Sequence, residues 1–389
     1  MKSKFIGILL LSTIFMSMSV ALAGVDSVDF KVVVHFKGAL EADDNLKAAM
    51  ADYSYVDWDV ELEDITASDL SGADMLIMIQ ADPAVEYTAA ELSAVNSWMD
   101  TGHKTLWVCS DSDYPDGQEL RIGPANDVLE AVDSKLRAEN AEIEDSVSNF
   151  GAPYRVKGVS TNCAPEYDFL VAGVSYAQFH GCGIIVGYLN GNYYALDEAD
   201  IDGVYVIMTS SAEGGIVVDV SEPAPEIHSP GQEGALATMV LDDAGNDNYI
   251  LATSDAPFGH YSPMYKPEIQ KEDRYGLTSP YPQQGAVLFG NILDMAVRNV
   301  MGGKITALET NVSGLETDVS GLTGDVTDLN AEVTSLESEV STLTSETAAL
   351  EADVAAAQSS ASTMQLAAVA ALVIGVVVGY FVGPMIKKD

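Results

Sequence analysis

Apolar residues recur in three different periods along the chain, and each period predicts a different element. Over residues 30–109, short apolar runs alternate with stretches of helical spacing. Residues 30–36, FKVVVHF, form a β-branched run that stops at Gly38, and residues 41–52 carry helical spacing. Residues 56–60 and 74–80 read as strands. The second of these, DMLIMIQ, is apolar almost without a break, as befits a strand buried on both faces of a parallel sheet. Beyond Pro83, Thr88 with Glu91 three positions later makes a capping box that opens a helix running to Gly102. Residues 104–109, KTLWVC, are the next strand. Strand, helix, strand at this spacing implies right-handed crossovers, so the expected head is an α/β domain with a doubly wound, mostly parallel sheet.

From Ile305 the period becomes seven. The a positions are Ile305, Val312, Val319, Val326, Val333, Val340, Thr347 and Val354, and the d positions are Leu308, Leu315, Leu322, Leu329, Leu336, Leu343 and Leu350. Such a repeat predicts a long coiled-coil helix. β-branched residues at a with Leu at d favour a parallel dimer, with a trimer as the near alternative, so the first expected partner is a second copy of the chain. Of the eleven acids in residues 305–354, ten fall at e or g, where Glu332 would face Glu337 and Glu346 would face Glu351 across a parallel pair. Like-charge contacts of this kind cost only tenths of a kcal/mol and weaken with salt. Gly314, Gly321 and Gly324 each cost about 1 kcal/mol of helix propensity, which softens the first heptads relative to the later ones.

The third pattern is continuous apolarity at both ends. Lys2 and Lys4 precede an apolar run over 5–20 and the triplet Ala21-Leu22-Ala23, the form of a cleaved secretory signal. Residues 366–385 contain no charge and are long enough to be a single transmembrane helix, and Lys387 and Lys388 beyond them favour the cytoplasmic side. The expected layout is a signal peptide at 1–23, an α/β ectodomain at 24–303, a coiled-coil stalk at 304–365, a transmembrane helix at 366–385 and a cytoplasmic tail at 386–389. That layout places the protein in the cell membrane with its ectodomain outside. At ~1.5 Å per residue the stalk would hold the head roughly 90 Å from the bilayer.

Composition sharpens this division. All three Trp, all three Cys and every Pro but Pro384 precede residue 303, the mark of a folded domain large enough for a full core. A net charge of -41 excludes nucleic acid as a partner, because a phosphate backbone demands Lys and Arg. Brine, metal ions and basic partners all fit so acidic a surface.

The stretch LSGADMLIMIQADPAVEYTAAELSAVNSWMDTGHKTLWVCSDSD, together with NDNYILATSDAPF and GAVLFGNILDMAV, resembles class I glutamine-amidotransferase-like domains. The resemblance is to their noncatalytic extracytoplasmic branch, similar to gliding-motility and ABC-transporter accessory proteins. Two blocks carry it, and residues 120–235 lie outside them. The family's enzymes place a nucleophile in G-x-C-x-G with a downstream H-x-E. Here Cys109 lies between Val108 and Ser110 with no glycine two positions out, and neither His228 in EIHSP nor His260 in GHYSP has an acid two residues later. Asp111 and Asp113 would also hold a Cys109 thiolate in check. The resemblance therefore implies a noncatalytic head. An anchored hydrolase or amidase using Cys109 is the alternative.

Other candidates stand apart from that resemblance. Cys163 and Cys182 could close a disulfide worth roughly 3 kcal/mol in an oxidising compartment. Glu198, Asp200, Asp202 and Gly203 follow the first, third, fifth and sixth positions of an EF-hand loop, although Thr209 replaces its closing Glu, and Asp111, Asp113 and Asp116 form a second acidic turn. Calcium is the candidate cofactor at either place, and solvated turns explain them equally well. Asn311 heads the sequon Asn311-Val312-Ser313, a glycosylation candidate whose Val is a heptad core residue. The expected function is a membrane-anchored, noncatalytic surface protein on an oligomeric acidic stalk, binding a partner, a glycan or an envelope component. A lattice anchor with the layout of archaeal S-layer stalk proteins is the further alternative.

Overall fold

The computed structural model describes residues 30–259, 263–266, 268–269, 281–360, 372, 374–376 and 378–380. Two compact units divide the chain between Thr306 and Ala307. The first is built on strands β1 (Lys31–Lys37), β2 (Asp57–Glu61), β3 (Met75–Gln80), β4 (Thr105–Cys109), β5 (Leu136–Glu139), β6 (Glu142–Asp145) and β7 (Arg155–Val159). They are followed by β8 (Tyr176–His180), β9 (Ile184–Leu189), β10 (Asn192–Tyr194), β11 (Val204–Thr209), β12 (Gly215–Val218), β13 (Ala237–Gly245) and β14 (Asn248–Thr253). The helices are α1 (Asp44–Asp52), α2 (Ala89–Met99), α3 (Ile122–Ala131) and α4 (Gly285–Ser360).

A nine-stranded sheet in the order β2-β1-β3-β4-β14-β13-β11-β7-β8 forms the centre of this unit. β3 is buried along its whole length, so its unbroken apolar run serves both faces. Alternate residues go to opposite sides. Val32, Ile77 and Trp107 face one cluster with Leu46 of α1 and Phe289 of α4, while Val33, Leu76 and Val108 face another with Val95 and Trp98 of α2 and Val128 of α3. Burying each of these large side chains contributes roughly 1.5–3 kcal/mol. Phe289 packs among Trp107, Phe258 and Tyr265 at ring-centre distances of 5.8, 5.2 and 5.3 Å, which pins the start of α4 to the sheet. Thr88 and Glu91 make the expected reciprocal capping box at the start of α2.

The sheet is less parallel than expected. β2, β1, β3, β4 and β14 run parallel, but each further neighbouring pair, β14–β13, β13–β11, β11–β7 and β7–β8, is antiparallel. The change of direction is local: Asn246 and Asp247, both at φ 54°, turn the chain between the paired residues Gly245 and Asn248. Two consecutive left-handed residues of this type are what a two-residue hairpin demands.

The membrane expectation is corrected. No helix among the described residues is long and apolar enough to cross a membrane. A span needs about 20 consecutive apolar helical residues, and within 366–385 only residues 372, 374–376 and 378–380 are described. This finding removes the single transmembrane helix and the single-pass placement. The rest of 366–385, the tail 386–389, the leader 1–23 and His260 lie outside the described residues.

In the second unit α4 is continuous through the heptads, Gly314, Gly321 and Gly324 included. Its seam stands in solvent in the single chain, with Ile305 51%, Leu315 63% and Val340 62% exposed.

Candidate functional site

The carboxyl ends of the parallel strands are the usual ligand position of such a sheet. At the end of β4, Cys109 is 5% exposed. Burial pushes its thiol well up, with Asp255 adding to the rise against a hydrogen bond from Thr253, so it stays protonated. Beyond it, Asp111 pairs with Arg121 Nη1 at 3.1 Å, and Asp113 Oδ2 accepts the Val220 and Ser221 amides at 2.7 and 3.2 Å. Glu142 of β6 joins this group, and burial, then Asp113, Glu144 and Asp111, raise its carboxyl to about 8. A carboxyl that keeps its proton at neutral pH relieves the like-charge crowding around it.

A cleft of about 810 Å³ opens beside β11. Glu166, Asp197, Asp200 and Asp202 line it, with Tyr205 and Thr209 from β11, and no Lys, Arg or His is among its lining residues. The loop between β10 and β11 supplies three of these acids. Ala195 O accepts the amides of Glu198 and Ala199 at 3.1 and 2.9 Å, and Ile201 O accepts that of Val204 at 3.0 Å, so the loop folds back on its own backbone. Gly203, at φ 78°, allows the reversal into β11 that a side chain would resist.

One of the cleft acids is anchored from the core. Asp197 Oδ1 lies 3.3 Å from His228 Nε2, and His228 Nδ1 is in turn hydrogen-bonded to Glu139 Oε2. Glu139, fully buried at the end of β5, also accepts the Ile227 and His228 amides at 2.7 and 2.8 Å. Burial alone would lower the His228 pKa, but the bonds to Asp197 and Glu139 outweigh it and hold the imidazole at about 9. The imidazolium donates from both nitrogens. Its hydrogen bond draws the Asp197 carboxyl down, so that acid is ionised and fixed in place.

The cleft carries charge but no activated nucleophile. Thr209 Oγ1 donates to the Ser210 carbonyl at 2.8 Å and accepts from Asn162 Nδ2 at 2.9 Å, so its hydroxyl is committed to backbone and amide partners. Ionised carboxylates around an aromatic and a few backbone groups can bind a cation. They offer no acyl-transfer machinery.

The structure separates several residues that the sequence groups. Cys163 and Cys182 are free thiols rather than a disulfide: Cys163 Sγ donates to Ala164 and Tyr167 carbonyls, while Cys182 Sγ lies 3.3 Å from Ser254 Oγ inside the core. Burial pushes Cys163 up to about 11 and raises Cys182 well above the usual thiol value, so neither is a thiolate at neutral pH. Asp200 and Asp202 share the cleft, Glu198 is exposed beside it, and Asp111, Asp113 and the exposed Asp116 belong to the β4 end. Among the described residues no group of three or more His, Cys, Asp or Glu is placed to hold a metal ion. Asn311 is exposed on α4. The link of His228 to Asp197 and Glu139 escaped the sequence reading because 31 residues separate the first pair and 89 the second.

The fold and site define a mixed-sheet α/β domain with an acidic cleft. No family model matches the chain, and no curated protein does. Among solved structures, the mmIFT52 N-terminal domain aligns at 10% identity and a TM-score of 0.43, covering 68% of this chain and 96% of its own. A Thermoplasma acidophilum protein described as part of a GMP synthase aligns at 13% identity and a TM-score of 0.35, covering 71% of this chain and 98% of its own.

Proposed function

We propose that the first unit is a noncatalytic binding module that receives a cationic segment of a partner protein in the acidic cleft, and that the second unit brings copies together. The observation that carries this reading is the cleft itself: Glu166, Asp197, Asp200 and Asp202 gathered around about 810 Å³, with Asp197 locked by the His228–Glu139 bond. An amidotransferase-like ancestry fits a head whose Cys109 thiol is buried and protonated, and the same burial argues against the hydrolase alternative. Lysine or arginine side chains suit the cleft because they pair with carboxylates while their stems lie on Tyr205.

The test separates the cleft from the general field of a chain with net charge -41. Full-length protein is titrated with hexalysine by calorimetry, comparing Asp200→Asn/Asp202→Asn in the cleft with Glu332→Gln/Glu339→Gln in the second unit. The cleft pair should weaken binding about tenfold and the control pair less than about twofold. Equal losses from the two pairs would assign the binding to diffuse charge and end this reading.

A further inference from the structure

A second concavity, of about 360 Å³, lies on the first unit and shares no lining residue with the acidic cleft. His103, Arg298 and Asn299 line it with Phe169 and Tyr249, and Asp247 is its acid. Each of these residues is placed by local structure. His103 follows Gly102 in the turn after α2, at φ 54°, where its amide donates to the Asn246 carbonyl at 3.1 Å. Non-glycine residues enter this left-handed region at a cost of order 1 kcal/mol or more, so the turn holds the imidazole against its own preference. Gly303 of α4 leaves space for that ring, since a Cβ there would come within 2.8 Å of it. Asn299 Nδ2 donates to the Asp247 carbonyl at 2.7 Å, tying α4 to the β13–β14 turn. On the facing wall, Tyr167 lies 5.9 Å from Phe169 and 6.4 Å from Tyr249 between ring centres, so both lining aromatics are backed by a third ring.

Arg298 is the informative residue. Among the described arginines, Arg121 pairs with Asp111, Arg137 donates to the Ser134 and Leu136 carbonyls, and Arg155 is buried with partners of its own. Arg298 makes no hydrogen bond or ion pair among the described residues, although the chain carries 59 acids against 18 basic residues. In so acidic a protein an arginine without a carboxylate partner, set on the wall of an aromatic-lined pocket, leaves its planar fork free for an incoming anion.

We propose that this pocket binds a small aromatic carboxylate. The carboxylate takes the Arg298 guanidinium in a two-point pair, and the flat apolar body lies against Phe169 and Tyr249. A volume near 360 Å³ is at the small end of ligand pockets, which fits a single-ring acid better than a nucleotide or an oligosaccharide. Its lining residues are distinct from those of the acidic cleft, so either reading can fail without the other.

Ligand-observed fluorine NMR on the full-length protein tests it, with 4-fluorobenzoate as the probe and 4-fluorobenzamide as its uncharged counterpart. The expected result is saturable broadening of the benzoate signal, with the benzamide binding at least about tenfold more weakly because it cannot pair with the guanidinium. Arg298→Gln should weaken the benzoate about tenfold or more, and Arg298→Lys should retain part of the affinity through a single charge contact. The proposal is overturned by the absence of benzoate broadening at millimolar concentration, by equal binding of the benzamide, or by an Arg298→Gln variant that binds as the wild type does. The Arg298 side chain is exposed, so its replacement leaves the core intact.

Discussion

Lys37 Nζ lies 2.5 Å from Glu91 Oε2, with the two side chains 2% and 1% exposed. Glu91 is the third residue of α2, and the same carboxylate accepts the Thr88 amide and hydroxyl at 2.7 and 2.8 Å, while its other oxygen accepts the Ile65 amide at 3.2 Å. One side chain thus caps a helix, secures the loop after β2 and neutralises the lysine at the end of β1. A pair so fully bonded is costly to halve, because the survivor stays buried and charged.

Glu91→Ala should therefore cost about 3–5 kcal/mol in urea unfolding of the full chain, since Lys37 would keep only Asp64, whose side chain is 65% exposed. A loss below about 1 kcal/mol would show that water reaches Lys37 and that the pair is not the clasp described above.

His35 gives the fold an acid-sensitive point. Its side chain is 0% exposed and burial holds its pKa below the usual histidine value, although the Glu63 carbonyl and Glu91 pull the other way. A depressed histidine binds fewer protons folded than unfolded, so stability should fall as pH drops below about 6.5 towards the folded pKa. His35→Gln should flatten that part of the stability–pH curve. An unchanged slope between about pH 6.5 and 5 would assign acid loss to other groups.

His228 acts with the opposite sign. Its folded pKa, about 9, lies above its unfolded value, so its contribution is complete below about 6.5 and is lost as pH rises through 9. Wild-type stability should decline across that window, and His228→Asn should be less stable than wild type at pH 6.5 with a shallower decline. Parallel curves for the two proteins would place the alkaline loss elsewhere.

Glu142, raised to about 8, binds a proton in the folded state that the unfolded chain has released above about 4.5. Stability drawn from it falls between those values. Glu142→Gln should consequently stabilise the protein at pH 8.5, by on the order of 3 kcal/mol, and change it little at pH 4.5. Equal effects at both pH values would mean that the carboxyl is not held neutral.

For the second unit, light scattering of the full chain should give a multiple of the 41.2 kDa chain mass, and the multiple should hold or grow as salt screens the e and g acids. Val326→Asn/Leu329→Asn, both at seam positions, should return it to the mass of one chain. A single-chain mass for the wild type at low and high salt would remove self-association through the heptads.

Much of the chain was legible because its signals are local. The buried run of β3, the capping box at Thr88 and Glu91, and the heptads from Ile305 are set by neighbours a few residues apart. The antiparallel half of the sheet was not legible in the same way, although Asn246-Asp247 between two apolar runs is a hairpin signal. Residues 120–235 hold α3 and then a series of short strands without a sustained period.

Sequence alone determined the periodic elements and the strong negative charge, since both follow from residue type and spacing. Tertiary structure decided the site. The cleft joins residues from Asn162 to Ala237, and both the Glu139–His228–Asp197 chain and the open fork of Arg298 depend on which distant segments the sheet brings together. It also decided that Cys109 is a core thiol and that Cys163 and Cys182 stay unbonded to each other, because burial and distance are properties of packing that spacing along a chain does not encode.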